Sequence, residues 1–548
     1  MSFPPLGVNA CSSRGPACRS LAAAVVVAVL ALVGSCSAGL TQDDQPASKI
    51  EALMASSQVA EAAQVACEWA ARDPGDLQAL RICAELGRRA GRYRAAEDAV
   101  RSLLFFEPNV PDTLVMLGDL LTDEGRYDEA RERFEQAIHL DDSHVGAFVG
   151  LARLERYTSD VEADVLSAAE VAVSVGPGDP RPLTALAEAK LDEGRYDEAI
   201  ELLSEALQRD PDHGRARYDL GLARARQGDM EQARQEWNRY VELEPATGEA
   251  WRLRNNLVIT GTEELGDRAW YASYSPDGAR MAYRGRGAGG WGIYVAPADR
   301  PDQEQLLWAT ESNIQSLDWS PDGSQLLMRI YEQMMIEENG KSSKQWAYRL
   351  ALLPTSGPAE AKYIYDGRWL GEPSWIPATG MIGAREYVRQ KGYVLVSINP
   401  QTGESTEIPG TDASLPSYTP RWSADGKRVL LVRRGELLPD GTYSYQLLSG
   451  PADDLSKAQV IYENLEWIRT PRFSPDGSVI LFNLAISAST TRFPTWAMPA
   501  DGSREPCLMD WRAGAYTAPE MSPDGGRMLA GRDYTLVKLT LTGLRGSG

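Results

Sequence analysis

The stretch that most constrains this chain is Thr470-Pro471-Arg472-Phe473-Ser474-Pro475-Asp476-Gly477-Ser478-Val479-Ile480-Leu481-Phe482. Pro475 fixes φ at the second position of a tight turn, Asp476 can accept hydrogen bonds from amides across it, and Gly477 takes the left-handed backbone that opens the next strand. A β-hairpin is predicted. The same turn recurs at Tyr274-Ser275-Pro276-Asp277-Gly278, Trp319-Ser320-Pro321-Asp322-Gly323, Trp422-Ser423-Ala424-Asp425-Gly426 and Met521-Ser522-Pro523-Asp524-Gly525. A degenerate copy, Trp375-Ile376-Pro377 followed by Thr379-Gly380, makes six.

Hairpins at a period of roughly 45 to 56 residues are what an array of four-stranded blades would show, which predicts a six-bladed β-propeller over residues 256–545. Third strands are expected at positions such as 292–296 and 496–499, and fourth strands at 305–308, 363–365, 406–408, 460–462 and 507–509. The last blade reaches its third strand at 536–541 and still needs a fourth. Residues 256–260, just before the first hairpin, are expected to supply it and so close the ring, removing an exposed sheet edge.

Residues 47–250 carry a different period. Gly91-Arg92-Tyr93, Gly125-Arg126-Tyr127-Asp128-Glu129-Ala130, Gly194-Arg195-Tyr196-Asp197-Glu198-Ala199 and Gly228-Asp229-Met230-Glu231-Gln232-Ala233 include neighbours 34 residues apart. With Pro111 as a first position, Leu117, Gly118, Ala130, Phe134 and Ala137 take the seventh, eighth, twentieth, twenty-fourth and twenty-seventh; Leu220, Gly221, Ala233, Trp237 and Tyr240 do the same in a later copy. Small residues at eight and twenty let paired helices approach closely. This pattern resembles the tetratricopeptide repeat, and six repeats in an α-solenoid are expected. The resemblance implies an interaction surface on the concave face. No basic set of the carboxylate-clamp kind is evident, so an acidic array points to a basic or neutral partner, or to docking of the propeller itself.

The hairpin repeats resemble the WD-like propeller of TolB and of prolyl oligopeptidase-type proteins. Helical repeats stand where TolB has its α/β domain, so the resemblance implies the fold and not TolB's role. The combination looks like envelope lipoproteins linked to secretion or assembly machines.

The beginning of the chain fits that picture. Arg14 and Arg19 precede an apolar run of about a dozen residues from Leu21, right for a secretory signal and short for a membrane span. Val33-Gly34-Ser35-Cys36 resembles a bacterial lipobox, which implies a signal peptide over 1–35, acylation of Cys36 and a tether over 36–46. Two acyl chains would hold the protein at a bilayer. Ser37 after the cysteine implies outer-membrane sorting in a Gram-negative cell. Of the other cysteines beyond Cys36, Cys67 and Cys83 fall on neighbouring helices and could pair in an oxidising compartment, with packing as small core hydrophobes the favoured expectation; Cys507 stands alone.

Net charge is -21, of which only roughly -5 falls after residue 261, and this acidity disfavours nucleic acid as a partner. The three histidines, His139, His144 and His213, all lie in the helical region, so no Ser-His-Asp or Cys-His site can form in the propeller. No cofactor or metal spacing is evident. Gly285 to Gly290 reads as a hairpin loop, and Glu337-Glu338 and Asp453-Asp454 as solvated pairs. The expectation is a non-enzyme: a lipid-anchored envelope scaffold binding proteins or peptides, with a receptor for a small glycan, peptide or ion in the propeller channel as the alternative. Twelve of fourteen tryptophans follow residue 250. Aromatics at a propeller mouth suit an interface hot spot. Trp270, Trp369, Tyr418, Trp467 and Tyr516, in or before first strands, are the candidate partner-binding face, with Met334 and Met335 in a long connection of the second blade.

Overall fold

A computed structural model describes residues 46–544, apart from residue 57 and the stretches 160–161, 268–269, 288, 339–340, 368–369, 389–390, 411–417, 438–442, 465–466, 485–492, 511–517 and 533–534. The lipobox, Cys36 and the signal lie outside these residues. No helix among the described residues is long and apolar enough to cross a membrane.

Thirteen helices come first among the described residues: α1 (Pro46–Ala55), α2 (Val59–Arg72), α3 (Leu77–Arg89), α4 (Tyr93–Phe106), α5 (Pro111–Asp123), α6 (Tyr127–Leu140), α7 (Val145–Thr158), α8 (Glu162–Val175), α9 (Pro180–Asp192), α10 (Tyr196–Arg209), α11 (Gly214–Arg226), α12 (Met230–Leu243) and α13 (Gly248–Arg254). They form six antiparallel pairs and a terminal helix. Four of the pairs turn at a left-handed glycine: Gly91, Gly125, Gly194 and Gly228 hold φ of 70°, 77°, 75° and 92°, a conformation that costs other residues energy. The small residues do what their spacing implies. A Cβ on Gly118 would come within 2.6 Å of the buried Phe134 ring, and one on Gly221 within 2.4 Å of Trp237.

The expectation for two cysteines is overturned. Cys67 on α2 and Cys83 on α3 form a disulfide with Cα atoms 4.6 Å apart. Antiparallel packing brings them together, aided by Gly87, where a Cβ would meet both Ala96 and the Cys67 sulfur. Cys507 is free and buried.

Six four-stranded sheets follow. Val258–Asp267 pairs antiparallel with Thr535–Thr542, so the segment before the first hairpin does complete the last blade. In the turns, Ser275 donates its hydroxyl to Asp277 and accepts from the Arg280 amide at 2.9 Å, while the Ala279 amide donates to Asp277 at 3.0 Å. The same set recurs around Ser320, Ser423, Ser474 and Ser522. These bonds hold the carboxyls of Asp277, Asp322 and Asp425 below the ordinary range, the serine hydroxyl being the largest cause.

The arginine after the turn ties blade to blade. Arg280 donates to the Gly323 carbonyl of the next turn at 3.0 Å and lies 4.9 Å over Trp319; Arg428 repeats this on Gly477 and Phe473. The second blade departs from the expectation. Its long connection is strand: Gln325–Glu338 and Lys341–Pro354 pair throughout, with Met334 opposite Gln345 and Met335 opposite Lys344, forming an extended hairpin arm. The unbroken backbone ladder, from Gln325 opposite Pro354 to Glu338 opposite Lys341, makes this segment strand rather than loop.

Candidate functional site

The first strands of neighbouring blades touch one another and surround the channel. Four of them are bulged, between Trp270 and Ser273, Ile314 and Ser316, Tyr418 and Arg421, and Arg469 and Arg472. A bulge re-aims side chains. In two of these bulges non-glycine residues adopt left-handed backbone, Tyr271 at φ 55° and Thr470 at φ 47°, which is costly for a β-branched or bulky residue and is stored where the surrounding structure enforces it.

Both residues line a cavity of about 500 Å³ in the channel, together with Ser316, Arg329, Glu372, Arg421, Arg469 and Arg472. Arg421 is buried. It donates from Nη1 to the Pro373 carbonyl and from Nη2 to Glu372, each at 3.0 Å, and burial, reinforced by the nearby Arg472, pushes its pKa down to about 10. Arg472 Nη1 stands 3.4 Å from Glu520, which accepts from the Ser273 hydroxyl and the Tyr274 amide of the first blade at 2.8 Å each. Burial raises the Glu520 pKa. Arg329 donates to the Leu370 carbonyl at 3.0 Å and to Gln315 at 2.9 Å. Nε of Arg329, Arg421 and Arg472 and the Ser316 hydroxyl find no hydrogen-bond partner among the described residues.

A second cavity of about 260 Å³ adjoins it, lined by Arg329, Tyr348, Arg385, Tyr393, Trp467 and Arg469. Arg329 lies 4.5 Å over Tyr348, Arg385 4.0 Å over Tyr393 and Arg469 4.8 Å over Trp467. The aromatic run continues along the hairpin arm, where Tyr331 stacks on Tyr348 and Trp346 at 4.7 and 5.0 Å. Beyond it Trp346 and Met335 are 53% and 62% exposed.

Of the sequence-predicted face, Trp467 is exposed and lines this second cavity. Met334 is half-buried and, with the exposed Met335, stands on the arm. Trp270 and Tyr418 open first strands, while Trp369 and Tyr516 lie outside the described residues. Sequence reading missed the arginines. Their one signal is position: Arg421, Arg469 and Arg472 fall on first strands, where apolar or small residues would suffice for packing.

The helical groove is arranged differently. Arg88 on α3 bonds Asp119 and Asp123 on α5 at 3.0 and 2.7 Å; Arg156 on α7 bonds Glu188 and Asp192 on α9 at 2.6 and 2.7 Å. Arg215 joins Glu188 to Asp219 at 2.8 and 3.0 Å. Burial pushes Asp219 up to about 7, while the surrounding guanidiniums hold Glu188 ionised against the same burial. The fifth blade closes over this groove. Glu505 accepts from the Tyr93 amide at the start of α4 at 3.1 Å, supplying a helix cap from the other array, and Arg504 donates to the Ala246 carbonyl. Arg89 on α3 bridges to Glu244 at 2.6 Å, joining the second helix pair to the sixth. A cavity of about 500 Å³ remains between the arrays.

Residues 115–180 and 190–257 match two tetratricopeptide-repeat family models. The helical half is a tetratricopeptide-repeat array. Among curated proteins, an uncharacterized protein of Agrobacterium fabrum is 25% identical over 230 residues, 42% of this chain and 69% of that protein. Among solved structures, TolB from Acinetobacter baumannii is similar at 15% identity and a TM-score of 0.33, covering 50% of this chain and 56% of the TolB chain. A candidate TolB from Agrobacterium tumefaciens gives 17% identity and a TM-score of 0.36, covering 50% and 90%. The tetratricopeptide array followed by a six-bladed propeller is the architecture that the repeat periods implied.

Proposed function

We propose that the chain is a lipid-anchored scaffold of the cell envelope, held at the bilayer through acylated Cys36 and gathering envelope proteins or peptides on its outward surfaces. The observation that carries this reading is the closed helical groove. The fifth blade's Arg504 and Glu505 occupy its rim, and ion pairs such as Arg156 with Glu188 and Asp192 line its interior. The apolar surface left over faces outward: Met335 and Trp346 on the arm, and Phe105, 81% exposed at the end of α4. Exposed aromatics and methionine are typical interface anchors. Among the described residues His144 caps α7 and bonds Asp112, and His213 bonds Thr184.

The test is crosslinking in cells followed by mass spectrometry, with Cys36→Ala as control. Wild type should capture a defined set of envelope proteins that the unanchored variant loses, and Met335→Asp with Trp346→Asp should lose part of that set while staying folded. Identical capture by anchored and unanchored chains would overturn the reading.

A further inference from the structure

Because the helices alternate in direction, the start of each odd-numbered helix and the end of each even-numbered one share one edge of the array. Two contacts mark that edge. Arg81 in α3 bonds Glu107, just past the end of α4, at 2.5 Å, and His144 at the start of α7 bonds Asp112 at the start of α5 at 3.0 Å. In successive repeats the last residue but one of the second helix is Ala71, Phe105, His139, Ser174, Gln208 and Glu242, exposed in all six. Five of these are small or polar, as an exposed helix end allows. Phe105 is 81% exposed.

Its neighbours extend the patch. Phe106 meets Phe105 edge-on with ring centroids 5.3 Å apart and is half exposed, as is Leu140, which takes the place of Phe106 one repeat later. Five sister repeats close without a ring at the Phe105 position, so packing does not require it, and apolar surface grouped in this way marks a contact with something outside the fold. The chain enters the array at the same edge, where Pro46 opens α1. Ten residues separate Cys36 from Pro46, a span of at most about 35 Å when fully extended. Helix α1 packs on α2 and α2 on α4, two steps of ~8–10 Å, so an acylated Cys36 would bring the edge that carries Phe105 within reach of the bilayer. Charge at the edge selects the lipid. The connections 73–76, 107–110 and 141–144 carry Asp73, Asp76, Glu107, Asp141 and Asp142 and neither lysine nor arginine. An anionic surface repels such an edge, whereas a zwitterionic one does not oppose the rings.

We propose that Phe105 and Phe106, with Leu140 beside them, form a docking edge that enters the interface of a zwitterionic bilayer and fixes which side of the helical array faces the lipid. This inference rests on the reading that Cys36 is acylated. Two rings are too few to hold the protein at a membrane unaided; the anchor supplies the attachment and the rings supply the orientation.

The test uses the full chain, isolated from membranes and reconstituted into phosphatidylcholine vesicles containing a phosphatidylcholine with a diazirine near the headgroup end of one acyl chain. After illumination, peptide mass spectrometry reads two things: acylation of Cys36 and lipid adducts on the helical array. Wild type should carry adducts concentrated on residues 102–110. Phe105→Ser combined with Phe106→Ser should lower them at least fivefold while the protein still floats with the vesicles. Because Phe106 is half-buried, Phe105→Ser alone serves as a second variant and should lower them severalfold with an unchanged melting temperature. Exchanging part of the lipid for phosphatidylglycerol at low salt should also reduce the adducts. Absence of an acyl group on Cys36 would overturn the anchoring reading and this proposal with it. An acylated chain whose adducts fall elsewhere, equal adducts in wild type and both variants, or adducts that rise with phosphatidylglycerol would overturn the docking edge and leave the anchor standing.

Discussion

The helical groove and the propeller channel are both lined with arginines, yet they arrange them differently. In the groove Arg88 and Arg156 have their carboxylates on the next helix pair, and Arg215 bonds back to Glu188. Arg88 with Asp119 and Asp123, and Arg156 with Glu188 and Asp192, are one arrangement repeated two helix pairs further on. Such pairs bind one repeat to the next and leave little for a ligand. In the channel Arg329, Arg421, Arg469 and Arg472 come from three blades and converge on one cavity. A charged lining is therefore no sign of a site in itself; a strut joins one repeat to the next, whereas a cluster forms only where a ring brings distant blades together.

The largest expected effect breaks the strut. Glu188 is 1% exposed and touches Arg153, Arg156 and Arg215 at 3.6, 2.6 and 2.8 Å. Glu188→Ala strands buried guanidiniums and should cost about 3–5 kcal/mol. Urea unfolding followed at 222 nm, which reports the helices, is the measurement; a loss under about 1 kcal/mol would show that the ladder is not what binds the repeats together.

The two regions should also part company with pH. Burial pushes Asp219 and Glu124 in the helical array up to about 7. Their folded forms hold protons that the unfolded chain, near pKa 4, has released, so the array loses stability as pH rises from ~4 to ~7. The turn aspartates of the propeller are shifted the other way. Their contribution is present above the unfolded value of about 4 and disappears as pH falls through the lower folded values. Because twelve of fourteen tryptophans lie after residue 250, tryptophan fluorescence follows the propeller while 222 nm follows the helices. Going from pH 8 to 5 should raise the helical melting temperature by roughly 2–4 °C, and below pH 4 the fluorescence transition should come first. Parallel behaviour of both signals across the range would mean that the arrays unfold as one unit.

What the sequence disclosed depended on distance along the chain. The turn chemistry of Ser474 to Gly477 and the 34-residue helical period are local and repeated, so both arrays could be read directly, and the ring-closing role of the segment at Leu257 followed from a missing fourth strand. Pairing of Cys67 with Cys83 was less legible, since neighbouring helices permit either packing or a bond until the side chains are placed. The second-blade arm was misread as a connection because Glu332, Glu337 and Glu338 interrupt its apolar alternation. The arginine cluster left almost no local trace. Arg329 and Arg472 are far apart in sequence, and only the closed ring brings them to one cavity.

A smaller effect concerns the seam between the regions. Glu505 caps α4 from the fifth blade, a single carboxylate on a helix N-terminus, so Glu505→Ala should cost about 1 kcal/mol and speed hydrogen exchange in the first turn of α4. Unchanged exchange would mean that Arg504 and the Arg89–Glu244 bridge carry the closure alone.

The smallest effect tests the channel cluster against the strut. Arg469 lies over Trp467 and Phe493 at 4.8 and 4.7 Å, contacts worth about 0.5–1 kcal/mol at a partly exposed site. Loss of these ring contacts in Arg469→Gln should contribute about 0.5–1 kcal/mol in urea, several times less than Glu188→Ala. If Arg469→Gln instead destabilised the propeller as much as Glu188→Ala destabilises the helices, the channel charges would be struts too, and the contrast between the two regions would collapse.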